Sequence, residues 1–269
     1  MSHSGTAQQD GRDYLAEHLI SLPAFRALLR SVEARMIGAL NLPRPILDLG
    51  CGDGHFAQAA FTTPLDVGID PSRQAVAEAA HRRMHRQLYI ADSCAMPFEA
   101  KAFATVLSNS VVEHIPDIDS TLREVHRVLR PGGLFVFTTP SQHFAEYLFF
   151  PSLLNALGLR GLAHRYEDYF NRISHHYRTD SEVIWQERLE RYGFAVRDAY
   201  SYFSRQASHV FDLAHYYSSP TLVYHRLFGR WIIAPWHGNF VLIDPILRHW
   251  YNEPVAAKGA YLFFLCQAK

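Results

Sequence analysis

Gly50, Gly52 and Gly54 stand within the stretch ILDLGCGDGHF, directly after an apolar run and before a helical pattern. Glycines at a strand-to-helix turn let backbone bend tightly and come close to a bound ligand. The dinucleotide pattern G-x-G-x-x-G fails here, because His55 occupies the place of its third glycine. The acids also speak against a pyrophosphate: Asp48 and Asp53 put negative charge beside the turn, which favours a cationic ligand. Asp70 follows Gly50 by 20 positions and ends the run VGID, the spacing at which a carboxylate accepts from ribose hydroxyls. Asp92 ends LYIAD and is placed to accept from an adenine amino group, with the Ser93 backbone nearby and Met96 and Phe98 to cover a purine face. Together these residue types point to a cationic nucleoside.

The elements that must hold these residues read clearly from Ile46 to Pro140. ILDLG, VGID, LYIAD, ATVLSNS and GLFVFTTP alternate with helical patterns starting near His55 and covering QAVAEAAHRRM and STLREVHRVL. That alternation is the mark of βαβ units and a parallel sheet with helices on both faces. Pro131-Gly132-Gly133 is expected to end the helix whose apolar face holds Leu122, Val125, Val128 and Leu129. Residues 1–44 read as a polar start followed by one or two helices interrupted at Pro23, and 45–269 as one domain. That domain carries irregular aromatic insertions at about 141–180 and 205–258. Asp180 or Ser181 is placed to cap the helix DSEVIWQERLERYG, and FAVRDAYSYF and GAYLFFLCQA read as two late strands.

The motifs ILDLGCGDG, VGID, ADSCAMPF, SNSVVEHIPD, EVHRVLRPGG and TTP, in this order, resemble the class I S-adenosylmethionine-dependent methyltransferases. Within that class the chain is similar to the ubiquinone and menaquinone biosynthesis (type 11) branch. The resemblance covers about Ile46 to Pro140. It implies an α/β fold: a Rossmann-like, seven-stranded, mostly parallel sheet with an antiparallel last strand, helices on both faces, and helical and aromatic insertions forming a lid. It implies S-adenosyl-L-methionine as cofactor. Asp48 and the turn Gly50, Cys51, Gly52 would hold its methionine part, Asp70 the ribose, and Asp92 with Ser93 the adenine. Asn109 would lie beside the methionine portion. The implied activity is methyl transfer to a small acceptor, apolar or aromatic and lipid-like if the insertions close over it.

His114 follows the fourth strand and can take a proton from an acceptor hydroxyl near neutral pH; its segment EHIPD also reads simply as the turn into the next helix. His176, between His175 and Tyr177 in the first insertion, is the second candidate for acceptor contact. Neither the His175-His176 pair nor His81 with His85, four apart as on one solvated helix face, has a third ligand nearby in sequence, so no metal is expected. Cys51 reads as a small packed residue of the cofactor turn rather than a nucleophile. The insertion aromatics Phe144, Tyr147, Phe149, Phe150, Tyr166, Tyr169 and Phe170 serve as core, lid or a homo-oligomer interface.

The 26 basic and 26 acidic side chains cancel, which argues against general nucleic-acid binding. Three scattered cysteines suggest neither disulfides nor a thiolate zinc site, and fit a reducing compartment. The polar start and the interrupted apolar stretch WIIAPWHGNFVLIDPIL lead to a cytoplasmic expectation with no integral membrane segment. Two rivals stay open: a noncatalytic cofactor-binding or oligomeric scaffold, and, disfavoured by His55 and the turn acids, a nicotinamide-dependent dehydrogenase.

Overall fold

A computed structural model describes residues 11–218, 243–255 and 257–269. Its centre is a seven-stranded sheet in the order β3-β2-β1-β4-β5-β7-β6. The strands are β1 (Ile46–Leu49), β2 (Leu65–Asp70), β3 (His85–Ile90), β4 (Phe103–Asn109), β5 (Leu129–Pro140), β6 (Phe194–Tyr202) and β7 (Tyr261–Ala268). The first five pair in parallel, whereas β7 runs antiparallel to both β5 and β6. The antiparallel last strand is as expected.

Side chains alternate between faces along each strand and so feed two cores. Leu47, Leu49, Phe135, Phe137 and Phe264 enter one, with α5 (Ile118–Val128) and α8 (Glu182–Arg191). Helix α5 lies there because Ile118, Thr121, Leu122, Val125 and Val128 fall on one stripe. Asp117 caps its start by accepting from Ser120 N at 3.0 Å, and Ser181 does the same for α8. Ile46, Val136 and Phe263 enter the other core with α1 (Tyr14–Leu19), α2 (Ala24–Gly38) and α3 (His55–Ala60). Pro23 stands at the start of α2, where its missing N–H costs nothing. Helices α6 (Phe149–Ala156), α7 (Arg160–Ile173), α9 (Arg205–Tyr217) and α10 (Asp244–Tyr251) extend this layer, and α4 (Arg73–Arg82) covers β2 and β3. Residues 219–242 of the second aromatic insertion, including the apolar stretch up to Leu242, lie outside the described residues. Among those described, no helix is long and apolar enough to cross a membrane.

Three local expectations need correction. Helix α5 ends at Val128, with Leu129 already extended, and β5 runs through Pro131-Gly132-Gly133. A residue before proline avoids helical backbone, so the helix is released ahead of Arg130. Asp92 lies two positions beyond the end of β3, which starts earlier than LYIAD suggests. His81 and His85 do not share a helix: Arg83, at φ +58°, ends α4, and His85 opens β3 with its ring buried.

The N-terminal helices meet the glycine turn through two histidines. His18, fully buried, has Nδ1 2.7 Å from Tyr14 O, and its ring meets His55 edge-on; His55 Nε2 lies 2.6 Å from Ser21 Oγ. Burial holds His18 down to about 4, and burial with the neighbouring His18 holds His55 down to about 3. Both therefore take up protons more readily when unfolded, where histidine titrates near 6.5. Their contribution to stability is complete above that pH and is lost as the pH falls toward 4. His18 alone should cost about 2 kcal/mol between pH 7 and pH 5. Urea midpoints of the wild type and of His18→Gln at the two pH values check this, and an equal pH dependence in the two proteins would contradict a neutral buried His18.

Candidate active site

The glycine turn is clamped to the tip of β2. Gly50 N and Cys51 N both donate to Ile69 O, at 2.8 and 2.9 Å. Gly50 sits at φ +78°, and a Cβ there would lie 2.4 Å from Val111 Cγ1, so only glycine lets Val111 pack on the turn. Asp70 joins the turn to the start of α4: its Oδ2 accepts from Gly52 N at 3.1 Å and its Oδ1 from Ser72 N at 2.8 Å. A carboxylate oxygen has two lone pairs, so each retains one for a ligand hydroxyl. A Cβ added at Gly52 would meet no heavy atom within 4 Å, leaving open space against the turn. Asp92 is exposed at the next strand tip, its Oδ1 accepting from Cys94 N at 2.8 Å. These three positions fit a nucleoside cofactor laid across the carboxyl ends of β1, β2 and β3.

The other residues of the expected cofactor set are engaged with protein. Asp48 is buried and meets His85 Nε2 at 2.8 Å, an imidazole reaching it from β3 across β2. The crossing requires Gly68: a Cβ there would lie 2.7 Å from the His85 ring. Asp53 pairs with Arg82 at 3.0 Å. Asp48 and Asp53 thus turn their carboxylates to protein partners, which leaves Asp70 and Asp92 with oxygens available to a ligand. Ser93 Oγ lies 2.9 Å from Thr121 Oγ1 on α5, Met96 is buried, and Phe98 packs edge-on against Tyr89 and Phe103. Burial, with Asp48 and Asp70 nearby, pushes the Cys51 thiol up, consistent with a packed residue and not a nucleophile.

Asn109 ends β4 and is held inward. Its Nδ2 donates to Glu33 Oε2 at 2.9 Å and its Oδ1 accepts from Thr138 Oγ1 at 2.9 Å. Glu33, on α2 and fully buried, also accepts from Arg30, Ser110 Oγ and Tyr202 OH. It ties the N-terminal helix to the exits of β4 and β6. Sequence reading missed it, although a carboxylate spaced four residues from both Leu29 and Ile37, on the apolar stripe, is itself a signal.

Beyond Val111 the chain makes a short helical turn, Val112–His114. His114 is 41% exposed at the side chain, and its Nδ1 lies 3.0 Å from His175 O. The segment carrying His175 and His176 is stitched to this turn: Tyr177 N donates to Glu113 O, and Arg178 donates to Val112 O, Ile115 O and Pro116 O. Arg178 is a second residue missed from sequence. The two candidate histidines, far apart in the chain, come to 5.4 Å between ring centroids, and Phe144 meets His176 edge-on at 4.8 Å. Glu113 lies beneath them, 2% exposed, with Oε1 3.9 Å from His114 Nε2. His176 therefore does have acidic and histidine neighbours, contrary to the reading from sequence. Burial pushes Glu113 up to about 8, while burial and the adjacent histidine hold His176 down to about 4; burial also lowers His114. At neutral pH both imidazoles are neutral.

A glycine turn after β1, carboxylates at the next two strand tips and a mostly parallel seven-stranded sheet define a Rossmann-like nucleoside-binding protein. More narrowly, residues 21–199 match the family model described as a methyltransferase domain, and the chain belongs to that family, whose methyl donor is S-adenosylmethionine. Among curated relatives, it is 36% identical over 103 residues to a malonyl-[acyl-carrier protein] O-methyltransferase of Pseudescherichia vulneris, covering 36% of this chain and 39% of that protein. It is 30% identical over 114 residues to a ubiquinone biosynthesis O-methyltransferase of Vibrio atlanticus, covering 39% and 47%. The matches thus span less than half the length of these relatives. Among solved structures, a SAM-dependent methyltransferase from Thermotoga maritima superposes with a TM-score of 0.56 at 16% identity, over 95% of this chain and 93% of that one. Geranyl diphosphate C-methyltransferase from Streptomyces coelicolor A3(2) gives 0.56 at 13% identity, over 91% and 81%. Both share the fold.

Proposed function

We propose that this protein transfers a methyl group from S-adenosylmethionine to an oxygen of a small acceptor that is apolar or aromatic and lipid-like. The observation that carries this reading is the seat of Val111 on Gly50: it sets the turn bearing His114 directly beside the donor-binding loop. Asp70 would hold the donor ribose and Asp92 its adenine end, with the turn backbone along the methionine part. When bound, the donor supplies a methyl group on a sulfonium, ready for in-line displacement.

The chain's own residues then bind, orient and exclude water. Phe144 and Tyr261 meet edge to face, and Phe170 packs on Phe144, giving an apolar wall next to His176. Tyr166 donates to Asp212 at 2.6 Å and stacks on Phe170, bracing α7 against α9 behind that wall. His114 Nδ1 is oriented by the His175 carbonyl, so its Nε2 lone pair is free to accept the proton of an acceptor hydroxyl. Holding donor and acceptor in line is worth up to about 7–11 kcal/mol in well-oriented intramolecular models. Two relatives carry O-methyltransferase names, for a malonyl-acyl-carrier-protein and in ubiquinone biosynthesis, which supports oxygen as the receiving atom.

Purified protein incubated with isotopically labelled donor and pooled lipid, quinone-like, phenolic and acyl-carrier acceptors should yield a product heavier by one labelled methyl group, read by mass spectrometry. Turnover confined to free sugars or amino acids would overturn the acceptor class. Donor binding without turnover on any pool would favour a scaffold instead.

A further inference from the structure

We propose that Glu113, His114 and His176 form a binding site for a divalent transition-metal ion of the zinc type. One ligand atom from each lies within 4.8 Å of the other two, close enough for a modest side-chain adjustment to bring all three onto one ion. Among the described residues, Glu113 Oε2 and His176 Nδ1 are buried without a hydrogen-bond partner. A buried carboxyl oxygen with no hydrogen-bond partner is costly, and a coordinated cation relieves it.

The histidines are prepared for coordination. The His175 carbonyl fixes the ring hydrogen of His114 on Nδ1, which leaves Nε2, the atom facing Glu113, as the unprotonated nitrogen a metal needs. A carbonyl behind a ligating imidazole is the usual outer support of such sites. His175 itself adopts φ +55°, a conformation uncommon for a residue with a side chain, and one that over-determined surroundings must hold. Arg178, clamping Val112 O, Ile115 O and Pro116 O, is the clamp that joins the two segments.

The donor set selects the ion. Two imidazoles and one carboxylate suit zinc, iron or copper, whereas magnesium and calcium favour oxygen ligands. Three protein ligands also leave a coordination position open, as in sites that act on a substrate rather than merely brace a fold. His114 lies on the exposed side of the trio, so that position faces outward. An ion held there occupies His114 Nε2, so metal binding and the proton-accepting role proposed above for that nitrogen exclude one another.

Metal binding is testable without turnover. The full chain, dialysed against chelator, should bind Zn²⁺ at one ion per chain in calorimetry, and the His114→Ala and His176→Ala variants should each lose at least the roughly 10–100-fold that removing an outer-shell partner of a ligand costs. Substituting Co²⁺ should give visible absorption of nitrogen and oxygen ligands without a thiolate band, which separates this site from adventitious binding at Cys51, Cys94 or Cys266. Thermal unfolding and donor binding by the same variants distinguish loss of a ligand from loss of the fold. Wild-type affinity retained when His114→Ala and His176→Ala are combined, a thiolate band, tighter binding of Mg²⁺ than of Zn²⁺, or no Zn²⁺ binding by the wild type would each overturn the proposal. Zn²⁺ bound at these residues in a protein that methylates no acceptor would leave the metal site standing and remove only the acceptor reading.

Discussion

Replacing Asp70 by alanine is expected to weaken S-adenosylmethionine binding by at least about 100-fold. A carboxylate bonded to two ribose hydroxyls makes two charge-assisted hydrogen bonds of about 1.5–3 kcal/mol each. Losing both exceeds the 2.8 kcal/mol that a hundredfold change represents. The substitution also frees Gly52 N and Ser72 N, which Asp70 holds at 3.1 and 2.8 Å. Those amides lie near the surface and regain water, so global stability should fall by no more than about 1–2 kcal/mol. Asp70→Asn separates the two roles, because its amide oxygen can still hold one backbone N–H while the charge is gone; its donor affinity should fall between wild type and alanine. Calorimetry with S-adenosylmethionine and S-adenosylhomocysteine reads all three proteins. Unchanged affinity in Asp70→Ala would remove Asp70 from the ribose position.

What the sequence made legible was whatever a local pattern encodes. The strands around ILDLG, VGID and ATVLSNS, the stripe on α5 and the Ser181 cap all follow from side-chain period and capping chemistry within a few residues. What stayed hidden depends on partners brought from elsewhere in the chain. His85 looked like a surface residue four positions from His81, yet strand pairing puts it opposite Leu65, from where it reaches Asp48 only because Gly68 has no side chain. Asp53 looked like part of an acidic cleft until Arg82, at the end of α4, came to neutralise it. His114 and His176 were each legible as single candidates, but their pairing over Glu113 depends on the Arg178 clamp, which no spacing rule contains. The site's chemistry is therefore partly written in residue types and partly in which segments the sheet places side by side.

Removing the Glu33 carboxylate should have the largest effect on stability of any single substitution considered, about 3–5 kcal/mol for Glu33→Ala. The carboxylate is fully buried and accepts from Arg30 at 2.8 Å, Asn109 at 2.9 Å, Ser110 at 2.8 Å and Tyr202 at 3.0 Å. Without it, donors from three separate elements lose their acceptor in a place water enters poorly, and a cavity is left as well. Glu33→Gln keeps the shape but turns an amide N–H toward groups that are themselves donors, so it should recover only part of the loss. Tyr202→Phe removes one donor and leaves the rest satisfied, so it should cost only about 1 kcal/mol. Urea unfolding measures the series, and the midpoint should move at nearly constant slope. The effect should also reach the donor site. Ser110, held by Glu33 at φ +50°, precedes the Val111 that packs on Gly50. Donor affinity should therefore fall in Glu33→Ala even at temperatures where the protein remains folded, although Glu33 is itself buried and bonded away from the glycine turn. A midpoint within about 0.5 kcal/mol of wild type would show that the carboxylate is no more than filler between helix and sheet, and an unchanged donor affinity would cut the link from α2 to the cofactor loop.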